Sequence, residues 1–228
     1  ELLLYMIRQS VEITGNKNVV LAGGYGLNCV ANYHFQKNLQ KDGVNLYVEP
    51  ISHDGGCSIG VAKLFDRIRT QSTEVDPGQT TLYYGPSYNN DDVEQYINNE
   101  DDLTITDVKY LDIAKLISER NIVAIWQGRS EAGPRALGNR SILYDPRDPD
   151  GKDNVNKVKG REWFRPFAGT VLLEDADDWF DMAGLKESPY MMYAVNTAFD
   201  KIDEIPAINH VDNTCRIQTV TKEQNEHY

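Results

Sequence analysis

Apolar positions along this chain change period several times, and each change marks an element. Leu3, Ile7, Val11 and Ile13 recur near helical spacing over residues 2–14, and Gly15-Asn16 ends the run. Asn18-Val19-Val20-Leu21-Ala22 is a short apolar run that predicts a buried strand leading into Gly23-Gly24. The spacing predicts a helix over Leu27 to Leu39 and a strand over Asn45 to Glu49. A further helix, entered through Gly55-Gly56, is expected from Ser58 to Arg69. Strand, glycine turn and helix, twice over, is an α/β pattern. Gln71 to Thr80 is polar, without period and broken by Pro77-Gly78, and it reads as a linker between a unit at 1–70 and one at 81–228. In the second unit helices are expected at Asn90 to Asn98, Leu111 to Glu119 and Asp150 to Val158. Strands are expected at Leu103 to Val108, Ile122 to Trp126, Ala168 to Leu173 and Cys215 to Val220.

Composition supports a folded chain. Of 228 residues, 40% are hydrophobic and 10% aromatic, enough for a core and unlike a disordered chain. No run approaches the roughly 20 apolar residues of a membrane span, and no secretory signal is visible. Cys29, Cys57 and Cys215 are odd in number and widely spaced, with no CxxC, so neither a zinc ribbon nor a disulfide framework is suggested. The expected setting is a reducing cytoplasm. Leu2-Leu3-Leu4-Tyr5, directly after Glu1, falls in the middle of an apolar pattern, and the chain is expected to be a fragment.

Charge narrows the picture. The net charge of −12 argues against a general nucleic-acid binder. Yet between Arg129 and Arg165 nine basic residues face six acidic ones, a net +3 that leaves −15 to the rest of the chain. Three of the arginines lie in Gly128-Arg129-Ser130-Glu131-Ala132-Gly133-Pro134-Arg135-Ala136-Leu137-Gly138-Asn139-Arg140-Ser141. Lys159, Arg161 and Arg165 follow in Lys159-Gly160-Arg161-Glu162-Trp163-Phe164-Arg165-Pro166-Phe167-Ala168. A guanidinium offers a rigid fork that fits phosphate oxygens, and glycines let backbone approach a ligand. A positive island in a negative field reads as a local site for a polyanion. A solvated salt-bridge network is the competing reading, disfavoured because the arginines sit among Gly and Pro and not at helical i,i+4 spacing.

Three weaker motifs join it. Gly23-Gly24-Tyr25-Gly26-Leu27-Asn28 follows a strand and opens a helix, a place where a phosphate or carboxylate can sit. A plain tight turn explains the glycines equally well. Neither a complete Rossmann fingerprint nor a Walker A sequence is present. His53-Asp54-Gly55-Gly56 puts an acid beyond a strand end, suited to a hard metal ion or to capping a helix. His210-Val211-Asp212-Asn213-Thr214-Cys215-Arg216-Ile217-Gln218 sets Arg216 and Gln218 on one strand face, lining either a pocket or solvent.

Together these motifs resemble the O-carbamoyltransferases of nodulation-factor and antibiotic biosynthesis, a family that includes the tobramycin and cephamycin carbamoyltransferases. The likeness runs from about Asn18 to the end of the chain. It implies an α/β fold made of the C-terminal piece of an actin-like ATPase domain followed by a YrdC-like α/β domain. It also implies ATP-dependent chemistry. Carbamoyl phosphate and ATP give carbamoyl-adenylate in the second domain, and the first passes the carbamoyl group to a substrate hydroxyl at an iron-type metal. Carried over by motif, Asp54 is a metal ligand, and Gly23, Gly24 and Asn28 contact the nucleotide. Arg129, Arg135, Arg140, Lys159, Arg161 and Arg165 line the adenylate-forming site, with His210 and Arg216 beside it. The implied ligands are ATP (with Mg), carbamoyl phosphate and a hydroxyl-bearing acceptor, and self-association into a homo-oligomer is compatible with the likeness. The family's His-x-x-x-His pair, its further Asp and its closing Asn-Thr-Ser-Phe-Asn-like segment have no counterpart here, so the chain alone is not expected to complete transfer. A nucleotide- or anion-binding regulatory module is the alternative, and an RNA-modifying relative a third, disfavoured by the acidic balance.

Overall fold

The computed structural model describes residues 1–74, 81–97 and 102–228. Helix α1 (Leu2–Thr14) ends where Gly15 adopts φ +66° and returns its N–H to Val11 O at 2.8 Å. That left-handed closure favours glycine. α1 buries Leu4 and Ile7 against Phe35, Leu39 and Val44. Strand β1 (Asn18–Leu21) pairs in parallel with β2 (Asn45–Val48), in register from Asn18↔Asn45 to Leu21↔Val48. Parallel strands need a crossover, and helix α2 (Cys29–Leu39) supplies it. The sequence predicts one helix from Leu27. Instead a 3₁₀ turn over Gly24–Leu27 comes first, and α2 starts after Asn28, whose Oδ1 accepts the Ala31 N–H at 3.1 Å. An N-cap amide of this kind satisfies a helix-end donor. Helix α3 (Gly56–Thr70) follows, with Val61, Leu64, Phe65 and Ile68 exposed.

Helices α4 (Asn90–Ile97) and α5 (Tyr110–Ser118) match the apolar spacing; Asn98 and residues 75–80 of the expected linker lie outside the described residues. Leu103 to Val108, expected as a strand, forms none. Leu103, Ile105 and Val108 are exposed, and alternation without a partner strand does not make a ladder. Strand β3 (Val123–Trp126) pairs antiparallel with β4 (Arg140–Leu143), an element the sequence reading missed. Helix α6 (Gly151–Val158) leads to strand β5 (Ala168–Leu172), the one-turn helix α7 (Ala176–Trp179), and strands β6 (Phe180–Asp181), β7 (Ala194–Thr197) and β8 (Thr214–Val220). These four strands form a sheet in the order β5-β8-β7-β6, with β5 parallel to β8 and the other pairs antiparallel.

The largest core joins both sides of the expected linker. Tyr33 and Val48 pack with Phe180, Met192, Val195, Cys215 and Ile217. Buried Asn32 donates to Gly26 O at 2.7 Å and to Met192 O at 2.9 Å, and the Tyr33 hydroxyl donates to Asp181 Oδ2 at 2.8 Å. A smaller cluster of Ile51, Leu82, Leu137 and Met191 lies beneath the arginine motif.

Candidate functional site

The arginine motif is the loop between β3 and β4, and it is tied mostly to itself. Gln127 N donates to Asn139 O and Gln127 Nε2 to Gly138 O. Asn139, itself buried, donates from Nδ2 to Arg129 O at 2.7 Å. Gly138 takes φ +107°, and a Cβ there would lie 2.7 Å from the Tyr228 ring, so both backbone and space demand glycine. Two of the loop's arginines are engaged within this scaffold. Arg140 donates to the carbonyls of Gln127, Gly128 and Asn139 and lies 4.0 Å over the Trp126 ring. Arg129 donates to Tyr84 O at 3.1 Å.

Arg135 faces elsewhere. It lines a cavity of about 940 Å³ together with Lys152, Lys159, Arg161, Arg165 and Arg216. Four cations of the two basic motifs, Arg135, Lys159, Arg161 and Arg165, therefore converge with Arg216 on one space, while Arg129 and Arg140 stand outside it. Among the described residues the cavity's one lining carboxylate side chain, Asp145, is held bidentately by Arg147, with Nη2 at 2.7 Å from Oδ2. Arg165 is paired with Glu162 at 2.6 Å, and Arg161 lies 5.0 Å over the Phe167 ring. Lys152 was not singled out by the sequence reading, although it stands in the charge-rich window; Tyr228, whose hydroxyl lies 2.9 Å from Thr170 Oγ1, carried no sequence signal at all.

Clustering of like charges shows in the acid–base behaviour. Burial, then Arg165 and Arg216, pull Arg161 below its ordinary value. Burial, then Arg135, pull Arg216 down, with the Cys29 and Cys215 thiols opposing. Guanidinium stays charged through such shifts, so the repulsion remains and favours an anionic occupant. Nε of Arg135 and Nε of Arg216 are buried without hydrogen-bond partners. Arg216 is aimed by β8, where it sits between Ala168 of β5 and Ala194 of β7. His210 is outside the cavity but braces its wall: Nε2 lies 3.3 Å from Phe167 O and Nδ1 3.1 Å from Thr214 Oγ1. Burial lowers the His210 pKa. Gln218, the other polar side chain on that strand face, is buried and donates to Leu137 O at 3.1 Å.

The residues of the first unit lie apart from this cavity. Gly23, at φ +90°, and Gly24 have open space where a Cβ would stand. Asn28 is exposed and caps α2. Arg135 Nη2, donating to Leu27 O at 3.2 Å, is the direct link from this turn to the cationic loop. Asp54 is exposed and does not cap α3, whose N-cap is Gly55; His53 Nδ1 accepts the Gly55 N–H at 2.9 Å. Among the described residues no group of three or more His, Cys, Asp or Glu could hold a metal ion. A divalent cation takes several ligands, so Asp54, expected as a metal ligand, does not make a metal site with the other described residues. Among those residues, too, no helix is long and apolar enough to cross a membrane.

Among the described residues, a mixed α/β chain thus gathers six cations, Arg135, Lys152, Lys159, Arg161, Arg165 and Arg216, around one cavity. Residues 114–228 match the family described as "Carbamoyltransferase C-terminus", and the chain belongs to the carbamoyltransferases. It is 37% identical over 235 residues to the nodulation protein NolNO of Sinorhizobium fredii, covering 100% of this chain and 34% of that protein. The nodulation protein NolO of Bradyrhizobium diazoefficiens is 34% identical over 100% of this chain and 42% of its own length. The nodulation protein U of Rhizobium tropici is 34% identical over 97% of this chain and 36% of its own length. The chain thus spans about a third to two fifths of the length of these relatives.

Proposed function

We propose that this chain carries the adenylate-forming part of an ATP-dependent O-carbamoyltransferase. In this reading residues 81–228 are a YrdC-like domain, and residues 1–70 are the C-terminal part of an actin-like domain in which the carbamoyl group passes to a substrate hydroxyl. The observation that carries it is the cavity in which Arg135, Lys152, Lys159, Arg161, Arg165 and Arg216 meet one already paired carboxylate. The balanced reaction is carbamoyl phosphate, ATP and water giving carbamoyl-adenylate, phosphate and pyrophosphate. Every reactant but water carries phosphate, and charge builds on the leaving pyrophosphate as the bond at the α-phosphorus breaks. Fixed cations in a partly closed space stabilise that charge without reorganising. Arg161 and Arg216, crowded by other cations, gain most from an anion's arrival. The expected metal enters no step here, since Asp54, its expected ligand, belongs to no group of three or more candidate ligands among the described residues.

The test is exchange of radiolabelled pyrophosphate into ATP, measured for this chain and for the protein extended to its relatives' length. Exchange that requires carbamoyl phosphate supports adenylate formation. ATP binding without exchange in the extended protein overturns it in favour of a nucleotide- or anion-binding regulatory module.

A further inference from the structure

We propose that Glu131 is the positioning residue of the cationic cavity, acting through Arg135; the inference rests on the anion-binding reading of that cavity. One oxygen of its carboxylate, Oε1, accepts three backbone N–H groups: Leu137 at 2.8 Å, Asn139 at 2.9 Å and Arg140 at 3.2 Å. Converging amides of this kind form a nest whose natural occupant is an anion. Here the anion is part of the chain.

The bond from Leu137 back to Glu131 closes a ring of backbone, and Arg135 lies inside it. The next two bonds lock Asn139 and Arg140, the residues that tie the loop to Arg129, Gln127 and Gly128. With Arg129 and Arg140 donating to carbonyls, Arg135 is the loop's cavity-lining arginine. Its aim therefore depends on the ring that carries its backbone, together with the bond from its Nη2 to Leu27 O at 3.2 Å. Among the described residues, Glu131 forms no ion pair with an arginine, so its charge is directed at the amides and not at the guanidinium groups. Geometry held by a supporting layer of hydrogen bonds is what gives a charged side chain its effect on a ligand.

The experiment uses this chain, inorganic pyrophosphate as the probe, calorimetry for affinity, and hydrogen exchange of the Leu137, Asn139 and Arg140 amides. Glu131→Ala is expected to weaken pyrophosphate binding about tenfold or more and to speed exchange at those three amides. Glu131→Gln keeps an acceptor oxygen and is expected to stay within about threefold of the unmodified chain. In an Arg135→Ala background, Glu131→Ala should cost less than about twofold more, while in a Lys159→Ala background the full loss should persist. That pattern separates aim through Arg135 from general disruption. Equal losses in both backgrounds, or full affinity in Glu131→Ala, overturn the proposal. If Glu131→Ala does not fold, Glu131→Asp, whose shorter side chain withdraws the oxygen from the three amides, carries the same cycle, and its loss must vanish in the Arg135→Ala background. If the unmodified chain binds no pyrophosphate, the anion reading of the cavity fails. The exchange data then decide alone, and unchanged protection in the Glu131 variant removes its role.

Discussion

Replacing Asn32 by alanine should loosen the joint between the glycine turn and the sheet. Asn32 is fully buried, and its amide nitrogen donates to Gly26 O at 2.7 Å and Met192 O at 2.9 Å, carbonyls far apart in sequence. Losing the amide leaves both carbonyls without that donor, at about 1–3 kcal/mol each. Part of this is offset, because Asn32 Oδ1 is itself buried without a partner and the variant removes it. The net cost is about 2–4 kcal/mol, which for a domain of this size lowers the melting midpoint by roughly 5–12 °C. Urea unfolding at fixed pH gives the free energy directly. Asn38→Ala is the control, since its amide donates to His34 O on an exposed face, and it should change stability by less than about 0.5 kcal/mol. A loss below about 0.5 kcal/mol for Asn32→Ala, equal to the control, would refute the idea that this buried amide ties the two segments together.

Other expectations follow from the cavity and its walls. Arg140→Ala should destabilise the fold by about 2–4 kcal/mol, because three carbonyls and the Trp126 face lose one partner, while Arg161→Ala should leave stability nearly unchanged and lower pyrophosphate affinity about 10- to 100-fold; chemical denaturation and calorimetry separate the two. His210 has a folded pKa below its ordinary 6.5, so the unfolded chain takes up the proton first; the stability it contributes is present above about pH 6.5 and is lost as pH falls through the lower folded value. His210→Gln should flatten that part of the stability–pH curve, and an unchanged curve counts against the assignment. Burial pushes the Cys215 thiol up to about 12 while Cys57 is exposed, so a thiol reagent should modify Cys57 in the native chain and Cys215 only on unfolding, as mass spectrometry of the labelled peptides will show.

Local period carried much of the fold. The strands at Asn18 and Asn45, the helix between them, α1 and α6 all announce themselves by spacing. β7 does not: Ala194-Val195-Asn196-Thr197 lies in a run buried on both faces, where no alternation survives. β4 was hidden because Arg140, read as a ligand, also begins a strand. Leu103 to Val108 shows the reverse error, alternation with no strand to pair with. For the site, charge excess located the cationic cavity but could not sort its members. Whether an arginine meets a ligand or its own loop's carbonyls depends on where those carbonyls point. Arg135 and Arg140 are alike in sequence and opposite in placement, and Glu131 looked like one acid among six.

Synthesis of the chain meets a consequence of the shared core. The cluster around Tyr33 and Val48 is complete only after Val195, Cys215 and Ile217 have been made, and Val48 and Val195 are 147 residues apart. At about 5–20 residues per second, their apolar faces wait roughly 7–30 s for this core to be completed. The β1–β2 pair is complete early, yet its underside remains sticky throughout that interval. Nascent chains of this protein are therefore candidates for chaperone capture, and slowing translation between residues 48 and 195 should lower the soluble yield even though no residue of the finished fold has changed.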